Sequence, residues 1–278
     1  MCKIGLKSRR IHPRLRPMNP RIYYLSYRGN TDRLAYINSY MLSVFSGDII
    51  RMYDKEDIEG SVARWYTYDK KENYIATTEI ASTLLVNAHL SSGNRSAARQ
   101  MLQFLHERIL VPPSPDVVLS ITPKRLSLTN LSLNLKHRVA WERGTSRRGC
   151  DYLLIFEDDV LIKDVSAEIV RSLTDNDLYG FDYIDLAGGA NLSGFDVFPL
   201  ANGDIHHIST YSTRTTCAYL MRTTLALQLL STKIPILFPI DFQLTYLFNI
   251  IRPRVGWLDP PPFDHGSVIG KYAVSNER

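Results

Sequence analysis

The sequence predicts an α/β fold, in which helices flank a sheet and a helical segment is inserted. Residues 21–27 (RIYYLSY) are rich in aromatic and β-forming side chains, which predicts a strand. After the turn RGNTD, Leu34, Ile37, Met41 and Val44 recur at helical spacing. Strand and helix patterns alternate again after residue 150. Because a strand–turn–helix unit usually begins a parallel sheet, we expect such a sheet here.

The later elements follow in order along the chain. Residues 126–144 predict a helix with Leu131, Leu135, Val139 and Trp141 on or near one face, and a glycine at 144 or 149 to end it. A strand at 152–156, a helix at 164–173 and a strand near 183–186 come next. Residues 217–230 begin extended and become helical, and residues 239–251 predict a helix. The tail at 257–272 contains three consecutive prolines, so no regular element can cross it.

Residues 60–126 do not fit this alternation. The stretches 79–90 and 96–110 both predict helices, and the prolines of VPPSPD interrupt the pattern. We expect an inserted helical lobe within one domain that spans residues 21–278, preceded by a basic leader at residues 1–20.

Composition indicates a globular protein and argues against membrane-spanning, secreted and disulfide-rich classes. The 278 residues are 45% hydrophobic and 22% charged, without a low-complexity tract. No apolar run approaches the roughly 18–20 residues of a membrane span, and the N-terminus has no apolar core of a secretory signal. Three cysteines without CxxC spacing argue against a disulfide framework or a zinc site. A reducing compartment, the cytoplasm, is the simple expectation.

Positive charge is concentrated at the start of the chain. The first 30 residues contain eight lysines and arginines and no acid. Such a leader can touch an anionic membrane surface peripherally, or it can be a solvated tail. No nucleic-acid-binding motif accompanies it, so we expect no specific nucleic-acid partner.

The segment CDYLLIFEDDVLIKD drives an apolar strand into three acids, Glu157, Asp158 and Asp159. Crowded carboxylates repel one another and resist burial, so a positive group is expected beside them. Strand alternation directs Glu157 and Asp159 to one side unless the chain turns there. Hard oxygen ligands suit Mg²⁺ or Mn²⁺, whose shell a substrate diphosphate often completes. Ligands of parallel α/β sheets bind beyond the strands' carboxyl ends, where these acids lie. The alternative is a solvated acidic turn.

Several blocks resemble glycosyltransferase family 25, which includes lipopolysaccharide sugar transferases and collagen galactosyltransferases. The similarity covers roughly residues 21–50 and 126–267. Its blocks stand in the family's order: IYYLSYRGNTDRLAYI, KHRVAWERGTSRRGCDYLLIFEDDVLI, FDYIDLAGGAN, TTCAYLMRTTLALQLL and PIDFQL. The chain departs from the family pattern at Ser26-Tyr27, where Asn-Leu is usual, and at Lys136, which replaces a serine.

The resemblance implies a GT-A fold, a Rossmann-like sheet that uses a nucleotide sugar and Mn²⁺ or Mg²⁺. The implied activity is transfer of a sugar, with inversion, from a nucleoside-diphosphate sugar to a hydroxyl of a glycan or glycoconjugate. A UDP-sugar is the expected donor. Two alternatives remain: a catalytically inactive nucleotide-binding module of the same fold, and a Mg²⁺-dependent phosphohydrolase, which would need a nucleophile or a second metal cluster.

The resemblance also implies roles for individual residues. Asp159 would be the first metal ligand, with Glu157 beside it and His265 of the late loop FDHGS as a third; Asp264 could orient that ring. Asp241 would be the general base, and its alternative role is a helix cap. His137 and Trp141 match a histidine and tryptophan of the family. The residues expected to contact the donor are Arg33, Glu157, Asp158, Asp185, Gly188, Gly189 and Asn191.

Overall fold

The structure, a computed structural model, describes residues 20–51, 86, 93–106 and 126–272, apart from short internal gaps. These gaps are 28, 147–148, 165, 174–177, 179, 189–191, 193, 201–202, 233 and 235. The predictions for the leader, for most of the 60–126 lobe, and for Gly189 and Asn191 lie outside the described residues.

Ten strands and six helical units make up the described part of the chain. The strands are β1 Arg21–Leu25, β2 Asp48–Ile50, β3 Tyr152–Glu157, β4 Val160–Ile162, β5 Tyr183–Asp185, β6 Asp196–Leu200, β7 Gly203–His207, β8 Ala218–Arg222, β9 Val255–Asp259 and β10 Phe263–His265. The helices are α1 Thr31–Tyr36, α2 Arg95–His106, α3 Leu128–Ser146, α4 Ser166–Ser172, α5 Thr223–Ser231 and α6 Ile240–Ile251. Helix α1 continues through a π-helical turn, Ile37–Met41, into the short turn Leu42–Val44.

The main sheet has eight strands in the order β2-β1-β3-β8-β5-β9-β7-β6. Strand β1 is parallel to both β2 and β3, and β5 is parallel to β9. Strand β8 runs antiparallel between β3 and β5, and the hairpin β6–β7 is antiparallel to its neighbours. The fold is therefore α/β, as predicted, with a mixed rather than wholly parallel sheet.

Helices cover both faces of the sheet. On one face, buried side chains of α3, α5 and α6 pack against residues such as Leu153 and Ile155 of β3. On the other, the π-helical turn and α4 pack against Leu154 and Phe156. A strand buried on both faces reads as a continuous apolar run, which is why β3 was recognisable in the sequence.

The described part of the 60–126 segment packs onto the main core. Val86, Ala98 and Leu102 are buried in the same cluster as Leu135 of α3. Helix α2, Arg95–His106, overlaps the helix predicted at 96–110 and begins one residue before it; residues 107–110 lie outside the described part of the chain.

Most predicted elements agree with the structure, and the disagreements are local. Helix α3 continues past Gly144 to Ser146, so of the two glycines predicted to end it only Gly149, which has a φ of 87°, remains as the candidate. The tail contains β9 and β10, one on each side of the three prolines, which themselves form no regular element. The hairpin β6–β7 and the short strands β2 and β4 were not predicted, because β6 is largely exposed and the others have only three residues each. No helix in the described ranges is long and apolar enough to cross a membrane.

Candidate active site

A cleft of about 510 Å³ opens beyond the carboxyl ends of β1 and β3. Its walls come from the end of β1, the start of α1, one side of α3, the acidic turn after β3 and the late segment around Tyr272. The chain places β2 on one side of β1 and β3 on the other, so the strand order reverses here. Such a switch point is where ligands of open α/β sheets bind.

Asp158 joins the acidic turn to the segment after β1. Its carboxylate accepts hydrogen bonds from the backbone N–H of Tyr27 at 2.9 Å, from Asn30 Nδ2 at 3.2 Å and from Arg33 Nη1 at 2.8 Å. Burial raises the pKa of Asp158, and the charge of Arg33 and the Tyr27 N–H act against that rise. Arg33 is therefore the positive group that the sequence predicted beside the acids. Both side chains are engaged with each other.

Asp159 is held by residues of the late loop. Its Oδ2 lies 2.9 Å from His265 Nε2 and accepts a hydrogen bond from Ser267 Oγ at 2.5 Å. Burial alone would raise the pKa of Asp159, but the hydrogen bonds and charge supplied by His265, together with Ser267, hold it below its ordinary value. The pKa of His265 is raised: burial lowers it, and the neighbouring Asp159 more than compensates.

Strand pairing explains why His265 reaches Asp159. Strand β10 runs antiparallel to β4 with His265 opposite Val160, the residue after Asp159. The N–H of Gly266 donates to the backbone oxygen of Asp159 at 2.8 Å, and a Cβ at position 266 would lie only 2.7 Å from that oxygen. Gly266 thus permits close approach to the acidic turn.

Asp264 does not orient the histidine ring. Its carboxylate pairs with Lys163 Nζ at 2.9 Å, and His265 Nδ1 is buried without a hydrogen-bond partner among the described residues. The prediction of Asp264 as the ring's acceptor is therefore wrong, because the β10–β4 pairing brings Lys163 to Asp264.

Glu157 lies at the end of a buried hydrogen-bond chain. Its Oε1 accepts from Thr216 Oγ1 at 2.5 Å and lies 3.3 Å from His137 Nε2. Trp141 Nε1 donates to Tyr219 Oη at 2.9 Å, and that hydroxyl lies 2.8 Å from His137 Nδ1. Because an indole N–H only donates, the tyrosine proton is available to Nδ1 of a neutral ring, which leaves Nε2–H directed at Glu157. His137 and Trp141 therefore position a carboxylate.

The chain turns at Asp158 and Asp159, so strand alternation ends at Glu157. Glu157 continues the face of β3 that meets α3, whereas Asp159 meets the late loop. The cluster of potential metal ligands in the described residues is Asp159, Cys217 and His265, whose ligand atoms all lie within 4.8 Å of one another. A carboxylate and an imidazole fit a divalent cation. The pKa of the Cys217 thiol is raised well above its ordinary value, chiefly by burial and then by the negative charges of Asp159 and Glu157.

Asp185 is fully buried, so it presents no oxygen to the cleft in this structure. Its carboxylate accepts from Tyr183 Oη at 3.0 Å and from the backbone N–H of Arg214 at 2.6 Å. Burial raises its pKa well above the ordinary value, opposed by those hydrogen bonds. Gly188 has a positive φ of 88°, and a Cβ there would lie 2.4 Å from Thr215 Cγ2. Asp185 and Gly188 thus shape the segment before β8.

Asp241 lies in the first turn of α6, as predicted, and Pro239 rather than Asp241 occupies the capping position. Its side chain is partly buried. Burial raises its pKa and so does the negative charge of Glu157, while His265 acts in the opposite direction. The pKa of Asp241 thus responds to the charges of two residues of the acidic site, Glu157 and His265.

Several cleft residues were missed in the sequence. Ser132 and Lys136 of α3 line the cleft, and both are almost fully buried. Lys136 Nζ lies 5.7 Å from the centre of the Tyr27 ring, and Ser132 Oγ has no hydrogen-bond partner among the described residues. The spacing of Thr129, Ser132 and Lys136 on one helix side was the available signal, but such spacing is common on solvated helix faces.

No family model matches the sequence, and no curated protein is significantly similar to it. The resemblance to glycosyltransferase family 25 therefore stays an interpretation of the motifs.

Proposed function

We propose that this protein is a metal-dependent glycosyltransferase with a GT-A-type, Rossmann-like fold. It transfers a sugar from a nucleoside-diphosphate sugar, with a UDP-sugar as first choice, to a hydroxyl of a glycan or glycoconjugate. One observation carries the proposal. A nucleotide-sized cleft at the switch point of the sheet is lined by Asp159, and the carboxylate of Asp159 meets a second potential ligand, His265, at 2.9 Å.

The donor's charge explains why such a site is needed. A nucleoside diphosphate is a highly charged leaving group, and a bound Mn²⁺ or Mg²⁺ would neutralise it as a Lewis acid. Asp159 and His265 would hold that ion. The two protein ligands leave positions for diphosphate oxygens and water, as is usual for hard cations that bind together with a phosphate substrate.

The remaining residues position the site. Asp158 accepts hydrogen bonds from Arg33 and from the backbone N–H of Tyr27, so it joins the acidic turn to the segment after β1 along the cleft. Lys136 contributes positive charge to the cleft wall, where a diphosphate would be stabilised. Glu157 is fixed by Thr216 and His137 and keeps negative charge beside the metal ligands.

Asp241 is the proposed general base. A carboxylate with a raised pKa accepts a proton more readily than an ordinary aspartate, which suits removal of the acceptor hydroxyl's proton. The transfer would then form the new glycosidic bond while the bond from sugar to diphosphate breaks, and the hydroxyl proton passes to Asp241.

A panel of nucleoside-diphosphate sugars tests the proposal by thermal shift, with Mn²⁺ or with a chelator present. We expect one donor to raise the melting temperature only with the metal, and to transfer its sugar when glycan acceptors are added. Release of phosphate from simple phosphate esters would favour the phosphohydrolase. Donor binding without transfer to any acceptor would favour the inactive module. Absence of any metal-dependent shift would reject the proposal.

A further inference from the structure

A buried thiol lies behind the pair Asp159 and His265. Cys217 directly precedes β8 and is completely buried. Its Sγ lies 3.6 Å from Asp159 Oδ1, and the thiol, the carboxylate and the imidazole place ligand atoms within 4.8 Å of one another. The three residues come from three separate parts of the chain.

The simplest alternative is that Cys217 only fills the core, since free cysteine is among the most frequently buried residues. The geometry indicates more. A tetrahedral zinc ion, with bonds of about 2.0 Å to nitrogen or oxygen and about 2.3 Å to sulfur, holds its ligand atoms roughly 3.3–3.6 Å apart. Cys217 Sγ lies 3.6 Å from Asp159 Oδ1, within that range. His265 Nε2 lies 2.9 Å from the other carboxylate oxygen, Oδ2, so the ring must draw back from Asp159 to admit an ion.

The surroundings suit an ion that enters past His265, the most exposed of the three residues. The side chain of His265 is 20% exposed, whereas that of Asp159 is 7% exposed and Cys217 lies behind both. The ring is held by its hydrogen bond to Asp159, and Nδ1 has no hydrogen-bond partner in the described ranges. An ion could therefore replace that hydrogen bond without breaking a second one on the ring.

We propose that Asp159, Cys217 and His265 form a site that selects Zn²⁺ or Co²⁺ over Mn²⁺ and Mg²⁺. Thiolate and imidazole ligands favour zinc and cobalt, whereas the hard ions prefer oxygen ligands. On binding, the thiol of Cys217 loses its proton to solvent and a sulfur–metal bond forms; no redox change is needed. Three protein ligands leave a fourth position for water or a donor oxygen.

The inference deepens the proposed function, because it rests on the metal site proposed there and concerns the regulation of that site. Zn²⁺ and Mn²⁺ would share Asp159 and His265. Zinc would therefore displace manganese and change the metal dependence of donor binding. Cys217 would decide which of the two ions is held.

Titration of the metal-free protein with Co²⁺ tests the site without any donor or acceptor. A cysteine thiolate bound to Co²⁺ gives a charge-transfer band in the near ultraviolet, which oxygen and nitrogen ligands alone do not give. We expect the wild type to show this band at one equivalent of Co²⁺, and Zn²⁺ to abolish it. Cys217→Ser and Cys217→Ala should lose the band and weaken Zn²⁺ binding at least tenfold.

Cys150→Ala is the matched control, because Cys150 lies just before β3, where its thiol donates a hydrogen bond to the Tyr152 carbonyl at 2.7 Å, at the opposite end of that strand from the acidic turn. It should keep the band. The melting temperature of each variant, measured with a chelator, shows whether the variant is folded. If Cys217→Ala does not fold, Cys217→Ser provides the same test. Absence of the band in the wild type, or its persistence in both folded Cys217 variants, would overturn the inference. The glycosyltransferase proposal is tested separately by donor binding with Mn²⁺, so either can fail alone.

Discussion

Asp159 Oδ2 and His265 Nε2 lie 2.9 Å apart, which joins the acidic turn after β3 to the end of β10. The same oxygen accepts from Ser267, so one carboxylate organises the late loop. A metal ion at this place would compete with a hydrogen bond that is already formed. Metal affinity, pH and the stability of the late loop should therefore be linked.

The first prediction concerns His265 as a ligand. His265→Ala should raise the Mn²⁺ concentration needed for half-maximal donor binding at least about tenfold, a loss of about 1.4 kcal/mol. Calorimetric titration of Mn²⁺ in the presence of the donor nucleotide measures it. His206→Ala is the control, because His206 is a partly buried histidine of β7, away from the acidic turn. Overlapping metal titrations of His265→Ala and the wild type would show that His265 is only a loop residue.

The second prediction concerns pH. The pKa of His265 is raised, so its contribution to stability is complete below the unfolded value of about 6.5 and is lost as the pH rises through its folded pKa. The pKa of Asp159 is lowered, so its contribution is present above about 3.9 and is lost as the pH falls through its folded pKa. The pair should therefore stabilise most between about pH 4 and 6.5.

Urea unfolding of the wild type and His265→Gln in a chelator measures this dependence. The difference in the free energy of unfolding should be greatest near the middle of that range, about 1.5–3 kcal/mol, and should shrink toward alkaline pH. A difference that stays constant or grows up to pH 8 would contradict the ion pair.

The third prediction concerns the buried pair of Arg33 and Asp158, whose side chains are 8% and 10% exposed. Arg33→Met leaves Asp158 as a buried charge without its guanidinium, which should cost about 3–5 kcal/mol in the free energy of unfolding. Adding Asp158→Asn should restore part of that loss. The exposed Arg51 provides the control: Arg51→Met should change the free energy of unfolding by less than about 0.5 kcal/mol. Equal effects of the two arginine substitutions would argue against the pair.

The fourth prediction concerns Asp241. If it is the base, Asp241→Asn should lower kcat about 10²–10⁴-fold while the affinity for the donor nucleotide stays the same. In the wild type, kcat/KM should fall with decreasing pH through a pKa above the ordinary aspartate value, because burial and Glu157 raise it. Asn also suits a helix start, so the melting temperature should change little. A variant with normal turnover would show that Asp241 only supports α6.

Local patterns predicted much of the fold. The apolar run of β3 and the helical spacing of α3 and α6 are strong signals, since each element buries a long stretch of side chains. The mixed character of the sheet was not predictable, because β8 reads the same in either direction. Strand β6 was missed for the opposite reason: it is exposed along nearly its whole length, so no alternation of buried and exposed residues marks it.

Some residues of the candidate site were likewise predictable from the sequence, and others were not. The three acids were visible as a charge pattern and Arg33 was implied by the family resemblance, and the structure pairs Arg33 with Asp158. Cys217 was set aside because the cysteines lack metal-binding spacing, yet it meets Asp159 across 58 positions of the chain. Sequence spacing detects ligands on one turn or loop. Ligands gathered from three strand ends appear only when the sheet order is known.

The central claim, a metal-dependent donor site at Asp159, is tested most directly by calorimetry of a nucleoside diphosphate with and without Mn²⁺. Asp159→Asn keeps the shape of the side chain and removes its charge, and Asp48→Asn on the exposed start of β2 serves as the control. We predict that Mn²⁺ strengthens nucleotide binding in the wild type and in Asp48→Asn, and that Asp159→Asn loses at least tenfold of that gain while remaining folded. An equal Mn²⁺-dependent affinity in all three proteins would contradict the account.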